Sequence, residues 1–184
     1  MTTSDEIGNK IPEGFIEAYL SLGTNECDRL YQLSEALFHL NGIIDLKILK
    51  VSSAYESTPS KMPPGTRDFL NAVVKIAIAM KPEDLLATCM GIERLMGRDR
   101  TCIGKDRPID MDILYVEGVN IRTPDLVIPH PRAHIRTFVL KPWIEIESGF
   151  PLYGARLEDW LNMLPDEESV PCELIGAIPL IFSI

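Results

Sequence analysis

The period of the hydrophobic pattern changes several times along the first 116 residues of the chain. Apolar residues alternate with polar ones in four stretches, and they recur every three or four residues between Leu30 and Leu40 and between Leu85 and Met96. Alternation is typical of strands and the longer period is typical of helices. The alternation predicts strands at residues 16–22, at 44–48 extending toward Tyr55, at 69–80 and at 109–116.

Residues at the ends of the two helical stretches favour the same assignment. Thr24 and Asn25 are cap-type residues ahead of the first helix, and Gly42 stops it. Pro82 suits the first position of the second helix, which Gly97 ends. The predicted order is β-α-β-β-α-β, the ferredoxin-like arrangement of an α/β (α+β) fold with an antiparallel sheet and helices on one face.

The strand predicted at 69–80 carries two different faces. One face is wholly apolar and can be covered by the helices, whereas the other includes Phe69, Asn71 and Lys75. Asp110 and Asp112 of the last strand fall on this second face, and we expect it to be free to bind a ligand. The apolar face consists of Leu70, Ala72, Val74, Ile76 and Ile78.

The 184 residues fit one domain, which we place at 15–150. A loose polar tail is expected at 1–14, and a C-terminal extension of unknown role at 151–184. Short helices are expected near 132–146 and 156–164. The apolar run that closes the sequence is expected to pack either on the domain or on a partner.

Charge and cysteine content limit the setting in which the protein acts. A net charge of −9 argues against whole-surface binding to nucleic acid or to a membrane, so phosphate binding would need a local basic cluster. The four cysteines form no C-x-x-C pair, and we expect free thiols in a reducing compartment. Without a secretory signal or an apolar run of about 20 residues, a cytoplasmic location is expected.

The sharpest local signal for chemistry is the pair Asp110 and Asp112. Residues two apart on a strand point the same way, so the two carboxylates stand side by side and repel each other. A divalent cation such as Mg²⁺ removes this repulsion, and Mg²⁺ prefers one or two carboxylates together with phosphate oxygens. An isolated D-x-D is nevertheless common, and taken alone it is more often a solvated strand edge with two unrelated acids than a metal site.

A cation-rich segment precedes the acid pair. Between Glu93 and Arg107 the sequence holds five cations against three anions, in a chain that is otherwise acidic. Arginine matches the geometry of phosphate oxygens, and a loop allows several arginines to converge. Cations beside a metal-type acid pair are what phosphoryl transfer requires, although a charged loop in solvent is the simpler alternative.

Several separate stretches together resemble the 6-hydroxymethyl-7,8-dihydropterin pyrophosphokinase (2-amino-4-hydroxy-6-hydroxymethyldihydropteridine diphosphokinase) family. The resemblance covers residues 16 to about 147, in the order and near the spacing of the family. The matching stretches are AYLSLGTNECDR at 18–29, SSAYESTP at 52–59, DFLNAVV at 68–74, IERLMGRDR at 92–100, RPIDMDIL at 107–114, IPHPR at 128–132 and RTFVLKPWIEI at 136–146.

The resemblance implies a ferredoxin-like fold and a reaction of folate biosynthesis. The enzyme would transfer diphosphate from ATP to the hydroxymethyl group of the reduced pterin and release AMP, using two Mg²⁺ ions. A monomer or weak homodimer is expected, with a possible functional link to dihydropteroate synthase.

The resemblance also implies roles for individual residues. Asp110 and Asp112 would hold both metal ions, with Asp110 also close to the pterin substrate. Together with Arg98 and Arg107 they would form the catalytic set. The residues implied for ATP binding are Glu93, Arg98, Arg100, Arg107, Ile113, His130 and Arg136. Those implied for pterin binding are Thr58, Pro59, Lys61, Phe69, Asn71 and Phe138.

Other functions of the same fold remain as alternatives. A catalytically degenerate ligand-binding module keeps the fold and the cleft but performs no transfer. An RNA-binding domain would need a basic face with exposed aromatic residues, which the charge disfavours. A nuclease or glycosyltransferase that uses the D-x-D leaves Asn71, Phe69 and the IPHPR stretch unexplained.

Overall fold

The computed structural model describes residues 11–59, 63–99, 106–165 and 170–182. The predicted Lys61 and Arg100 therefore lie outside the described residues. The helices are α1 (Arg29–Asn41), α2 (Pro82–Leu95), α3 (Thr137–Ile146), α4 (Leu157–Asn162) and a 3-10 turn at Ala133–Ile135. The strands are β1 (Ile16–Thr24), β2 (Leu46–Val51), β3 (Ala54–Ser57), β4 (Phe69–Ile78), β5 (Asp110–Val116), β6 (Ile121–Arg122), β7 (Val127–Ile128), β8 (Pro151–Leu152), β9 (Ala155–Arg156) and β10 (Cys172–Gly176).

One antiparallel sheet organises the chain, in the order β10-β3-β4-β1-β5, with β2 also paired to β4. The β-α-β-β-α-β core predicted from the sequence is confirmed. The single strand predicted from residue 44 toward Tyr55 is corrected to two strands that pair with β4 end to end. Ile44 is outside both and is 92% exposed, because the strand begins only at Leu46.

The first helix begins later than its cap-type residues predicted. Asp28 is the N-cap of α1 and accepts a hydrogen bond from the backbone N–H of Tyr31 at 3.1 Å. Thr24 instead ends β1, and Asn25 bonds the chain around residue 107, so the prediction of Thr24 or Asn25 as the cap is wrong. The other helix boundaries agree with the sequence: α2 begins at Pro82, and Gly97 follows it with φ of 89°.

The main core lies between α1, α2 and one face of the sheet. The predicted apolar face of β4, from Leu70 to Ile78, is buried in this core together with Leu33 and Leu37 of α1 and Leu85 of α2. Both helices lie on the same side because each connects strands through that face. This arrangement leaves the other face of the sheet to the C-terminal half of the chain.

That second face is not open along its whole length, which corrects the expectation from the sequence. Val73 of β4, Tyr19 of β1 and Trp143 of α3 are fully buried in a second apolar cluster. Helices occur near both predicted positions, at Thr137–Ile146 and Leu157–Asn162, and α3 covers the middle of the face. The end that carries Asn71, Asp110 and Asp112 is left uncovered by α3 and forms a cleft.

The last described segment packs on the domain. β10 extends the sheet along β3, and Ile178 joins the main core. The hydroxyl of Ser34 on α1 donates to the carbonyl of Pro179. Within the described ranges, the helices are all too short or too polar to cross a membrane.

Candidate active site

The cleft has a volume of about 280 Å³ and lies where β1 ends and β4 and β5 begin. The antiparallel register places Gly23 opposite Asn71 on one side and opposite Asp110 on the other. Residues that are distant in sequence therefore converge at one end of the sheet. One half of the cleft is ionic and is lined by Arg107, Asp110, Asp112, Arg132 and Arg136. The other half is lined by Ser57, Thr58, Phe69, Asn71, Phe138 and Val170.

Asp110 and Asp112 share one face of β5, as their spacing predicted. The intervening Met111 is turned into the main core. Asp110 pairs with Arg98 and, at 3.0 Å, with Arg107. Two carboxylates that would repel each other are therefore held beside guanidinium groups, at the mouth of a cleft that a ligand can enter.

Arg98 is fixed from behind by a buried acid. Glu93 of α2 is 0% exposed, and its carboxylate accepts from Arg98 and, at 2.9 Å, from the backbone N–H of Met111. A buried charge is tolerated only when it is paired and hydrogen-bonded, and both conditions are met here. Glu93 therefore lies behind Arg98 and not at the surface of the cleft. From this buried position it orients the arginine toward Asp110.

Asp112 faces a second basic group, supplied by the loop between β7 and α3. Arg136 donates to Asp112 at 3.0 Å, and Nε2 of His130 lies 3.8 Å from the same oxygen. Burial lowers the pKa of His130; Asp112 opposes this shift, whereas Arg136 and Arg132 add to it. The loop is joined to β5 by a 2.8 Å hydrogen bond from the His130 N–H to the carbonyl of Leu114.

The other half of the cleft combines aromatic rings with a fixed amide. Asn71 is 3% exposed, and its Nδ2 donates to Ser57 Oγ at 2.9 Å and to the carbonyl of Tyr55 at 3.2 Å. A carbonyl only accepts, so the amide nitrogen must point there and the amide oxygen points elsewhere. Phe69 and Phe138 line the same half.

The guanidinium groups of two cleft arginines lie over the two rings. Arg107 is 5.1 Å from the centroid of Phe69, and Arg136 is 5.6 Å from that of Phe138. These distances are within the range of cation–π attraction. The aromatic and ionic halves of the cleft are therefore in direct contact.

Most of the residues predicted for the site meet in this cleft. Thr58 lines it and is followed by Pro59, while Ile113 differs because its side chain is buried in the main core. Glu93 and Arg98 stand behind Asp110, and His130 stands beside Asp112. The residues that line the cleft without having been predicted are Ser21, Gly23, Ser57, Arg132, Ile135 and Val170.

The unpredicted residues differ in how visible they were. Arg132 belongs to the IPHPR stretch and Ser57 to SSAYESTP, so both were within the recognised segments. Gly23 also lies within a recognised segment, AYLSLGTNECDR, but the reason for a glycine there comes from the fold: a Cβ at this position would lie 3.3 Å from Oδ1 of Asn71. No local pattern distinguished Val170, because its position depends on the pairing of β10 with β3.

The fold and the cleft define a class of protein: an α+β enzyme in which paired carboxylates and converging arginines adjoin a cleft half lined by two aromatic rings and a fixed amide. A sequence model of the family described as 7,8-dihydro-6-hydroxymethylpterin-pyrophosphokinase (HPPK) matches residues 19–148. The chain belongs to this family. HPPK enzymes use ATP as co-substrate together with the hydroxymethyl pterin.

Similar proteins occur alone and as parts of longer chains. The chain is 39% identical to the 2-amino-4-hydroxy-6-hydroxymethyldihydropteridine pyrophosphokinase of Bacillus subtilis over 129 residues, which is 70% of this chain and 77% of that protein. It is also 39% identical to the bifunctional protein FolKE of Lactococcus lactis over 140 residues, 74% of this chain. The folic acid synthesis protein fol1 of Schizosaccharomyces pombe is 37% identical over 154 residues, 82% of this chain. The chain spans only 39% of FolKE and 21% of fol1.

Solved structures share the fold at low sequence identity. An HPPK-DHPS solved in complex with substrates superposes with a TM-score of 0.63 at 16% identity, covering 80% of this chain and 43% of that one. A Plasmodium falciparum HPPK-DHPS solved with SDX-DHP gives a TM-score of 0.63 at 18% identity, covering 86% and 46%. At these identities the likeness establishes the fold alone.

Proposed function

We propose that the chain transfers diphosphate from ATP to 6-hydroxymethyl-7,8-dihydropterin, giving AMP and the pterin diphosphate. The hydroxymethyl oxygen forms a bond to the β-phosphorus, the bond from that phosphorus to the α,β-bridging oxygen breaks, AMP leaves and a proton is released. The observation that carries the proposal is the direct contact of the two halves of the cleft. Asp110 and Asp112 lie on one side of it, and Phe69 and Asn71 lie on the other.

The carboxylate pair fits magnesium. Asp110 and Asp112 are hard oxygen donors on one face of β5. In the described part of the chain, no group of three or more acidic, histidine or cysteine side chains forms a complete metal cage. Mg²⁺ is typically bound by one or two carboxylates plus substrate phosphates, so this donor set suits it. We propose that Asp110 and Asp112 hold two Mg²⁺ ions, which would offset the charge of the triphosphate.

The arginines of the cleft bind the phosphates of ATP. Arg107 and Arg136 line the cleft and Arg98 pairs with Asp110 from behind, so all three guanidinium groups lie beside the carboxylates proposed to hold the metal ions. Planar guanidinium groups match phosphate oxygens and offset the charge that is redistributed during transfer. Arg132 extends this basic surface along the loop that precedes α3, and His130, whose pKa is lowered by burial, adds a neutral imidazole beside Asp112.

The aromatic half binds the pterin. Phe69 and Phe138 supply apolar ring surface for a flat heterocycle, and offset stacking of this kind is worth about 0.5–1.5 kcal/mol beyond burial. Both protons of the Asn71 amide are directed to Tyr55 and Ser57. Its oxygen is therefore the atom that accepts from an N–H of the ring edge. Thr58 and Pro59 complete this side, next to β3.

A functional link with dihydropteroate synthase is part of the same proposal. The solved HPPK-DHPS chains carry a second unit beside a domain of this fold. The product of the proposed transfer is an activated pterin, because its diphosphate is a good leaving group. A following enzyme that forms a new bond at that carbon would consume it. We propose that the chain itself acts as a monomer or a weak homodimer.

One assay tests the transfer. Purified protein is incubated with ATP, Mg²⁺ and the hydroxymethyl-dihydropterin, and the nucleotides are separated by chromatography. AMP should accumulate in equal amount with pterin diphosphate, without ADP, and only when the pterin is present. An Asp112→Asn variant is the matched control, and it should release little AMP. Binding of both ligands without AMP release would instead identify the degenerate binding module.

A further inference from the structure

A segment beyond the region matched by the family forms one wall of the cleft. The family match ends at residue 148, whereas Val170 lines the cleft beside Thr58 and Phe138. The segment that carries Val170 is held in place by the main sheet. Val170 lies two residues before β10, which is part of the main sheet. The position of this wall is therefore fixed by β10, the strand at the edge of the sheet.

The segment is anchored to two elements that supply cleft residues. The N–H of Thr58 donates to the carbonyl of Pro171 at 3.3 Å, and Cys172 is paired with Ser57 across the strands. From the other side, Nζ of Lys141 on α3 donates to the carbonyl of Cys172 at 2.7 Å. β10 thus connects β3, which carries Ser57, to α3, which carries Phe138.

The sheet order locates Val170 with respect to the two ligands. β10 lies at one edge and β5, with Asp110 and Asp112, lies at the other, with β3, β4 and β1 between them. Ser57 is opposite Cys172 and accepts from the amide of Asn71 at 2.9 Å. Val170 consequently lies in the half of the cleft where Asn71 is held, away from the ionic half.

We propose that Val170 is a specificity-determining residue that forms an apolar wall against the pterin ring, and that β10 positions it. This inference rests on the proposed function. Valine is branched at Cβ and has little rotational freedom at χ1, so its methyl groups form a fixed surface. Such a surface favours a flat heterocycle of limited width and excludes a bulkier one. It does not affect the binding of the triphosphate.

Substitutions at position 170 in the full chain test the assignment. Pterin binding is measured by calorimetry for Val170→Ala and Val170→Trp, with Mg²⁺ and a non-hydrolysable ATP analogue present, and binding of the analogue is measured alone. Val170→Trp should weaken pterin binding about tenfold or more because it overfills the wall. Val170→Ala should weaken it about threefold through lost apolar contact. Binding of the analogue should stay within about twofold, because Val170 lies in the half of the cleft away from the ionic groups.

Leu174→Ala is the matched control, because Leu174 lies on β10, four residues after Val170, but is 60% exposed. It should leave pterin binding unchanged. Equal pterin affinity in wild type and both Val170 variants, or an equal loss for both ligands, would overturn the inference. If thermal melts show that Val170→Trp does not fold, the pterin affinity of Val170→Ala alone tests the inference.

The proposed transfer is tested separately, by measuring whether the wild-type protein releases AMP. If the wild-type protein binds the pterin without releasing AMP, the proposed transfer is wrong. The pterin affinities of the Val170 variants then still show whether Val170 contacts the pterin. Wild-type protein that binds no pterin overturns both.

Discussion

Arg136 donates a hydrogen bond to Asp112, with 3.0 Å between Nη1 and Oδ2. Asp110 has the equivalent relationship with Arg98 and Arg107. The sequence spacing alone predicts that the two acids stand side by side and repel each other. Since each carboxylate is compensated by at least one guanidinium group, removing an acid also leaves an arginine without its partner.

The first prediction concerns Asp110→Asn and Asp112→Asn. Each should lower the rate of AMP release by about 100-fold or more, because preorganised charge at the transferring group is lost. Each should also lower the melting temperature, since a partly buried arginine loses an ion pair worth about 1 kcal/mol. Chromatography and a thermal melt measure the two effects. Asp125→Asn changes an exposed carboxylate outside the cleft and should alter neither; full activity in either cleft variant would contradict the site.

The second prediction concerns the amide oxygen of Asn71. Asn71→Ala removes the acceptor and should weaken pterin binding by about 1–3 kcal/mol, with a much smaller effect on ATP. Gly23→Ala tests the oxygen more directly, because the new Cβ would lie 3.3 Å from Oδ1 and must displace it. It should weaken pterin binding in the same direction without removing any polar group. Calorimetric titration with each ligand separates the two affinities.

Gly91→Ala provides the control for the glycine substitution. Gly91 is on α2, where an added Cβ would meet nothing within 4 Å. Pterin binding should be unaffected and α2 should be slightly more stable, because alanine is the better helix former. Equal losses of ATP and pterin affinity in Asn71→Ala would mean that this residue supports the fold instead of reading the ligand.

The fold was predictable where the pattern is local. The alternation around Asn71 and the spacing of Asp110 and Asp112 state directly which side chains share a face, and the structure agrees. The contact of the Glu93–Arg98 pair with Asp110 was not predictable, because it depends on the packing of α2 against β5. Residues implied by the resemblance, such as His130 and Arg136, were found through motifs and not through any periodicity.

Two errors have physical explanations. Asn25 has the chemistry of a helix cap, but its Oδ1 accepts from the N–H of Arg107 at 2.8 Å and its Nδ2 donates to Asp106 at 2.7 Å. The side chain of Asn25 therefore bonds residues that are distant in sequence instead of capping the helix that follows it. The second face was expected to be open because the period of β4 cannot show that α3, more than 60 residues later, covers Val73.

The third prediction concerns a tyrosine beyond the family match. The hydroxyl of Tyr153 lies 2.8 Å from the carbonyl of Pro129 and 3.2 Å from that of His130. It therefore ties the hairpin of β8 and β9 to the loop that holds His130 beside Asp112. Tyr153→Phe should raise the KM for ATP about two- to fivefold, the size of one lost hydrogen bond, with the KM for pterin unchanged.

Steady-state kinetics with each substrate varied in turn measures this difference. Tyr31→Phe on α1 is the matched control, because Tyr31 is 54% exposed and is not among the residues that line the cleft. It should change neither KM. An unchanged KM for ATP in Tyr153→Phe would show that the loop is held without this hydroxyl.

The last prediction concerns the ion cluster at the end of α3. Lys75 of β4 lies 2.8 Å from both Glu17 and Glu147, and Tyr19 donates to Glu147 at 3.1 Å. Burial alone would raise the pKa of Glu147, but the hydrogen bond and charge of Lys75 outweigh it and lower the pKa. Glu147→Gln should therefore reduce the free energy of unfolding at pH 7 by about 1–3 kcal/mol.

The pH dependence of this loss follows from the direction of the shift. A carboxyl whose pKa is lowered by folding stabilises the protein above its unfolded value, and the stabilisation is lost as the pH falls through the folded value. Wild type and Glu147→Gln should thus differ most at neutral pH and converge in acid. Denaturant melts between pH 7 and about pH 3 measure the difference, spanning the ordinary carboxyl range. Glu13→Gln removes an exposed carboxylate and should run parallel to wild type throughout, whereas a gap for Glu147→Gln that stays constant with pH would show that its contribution is packing and not charge.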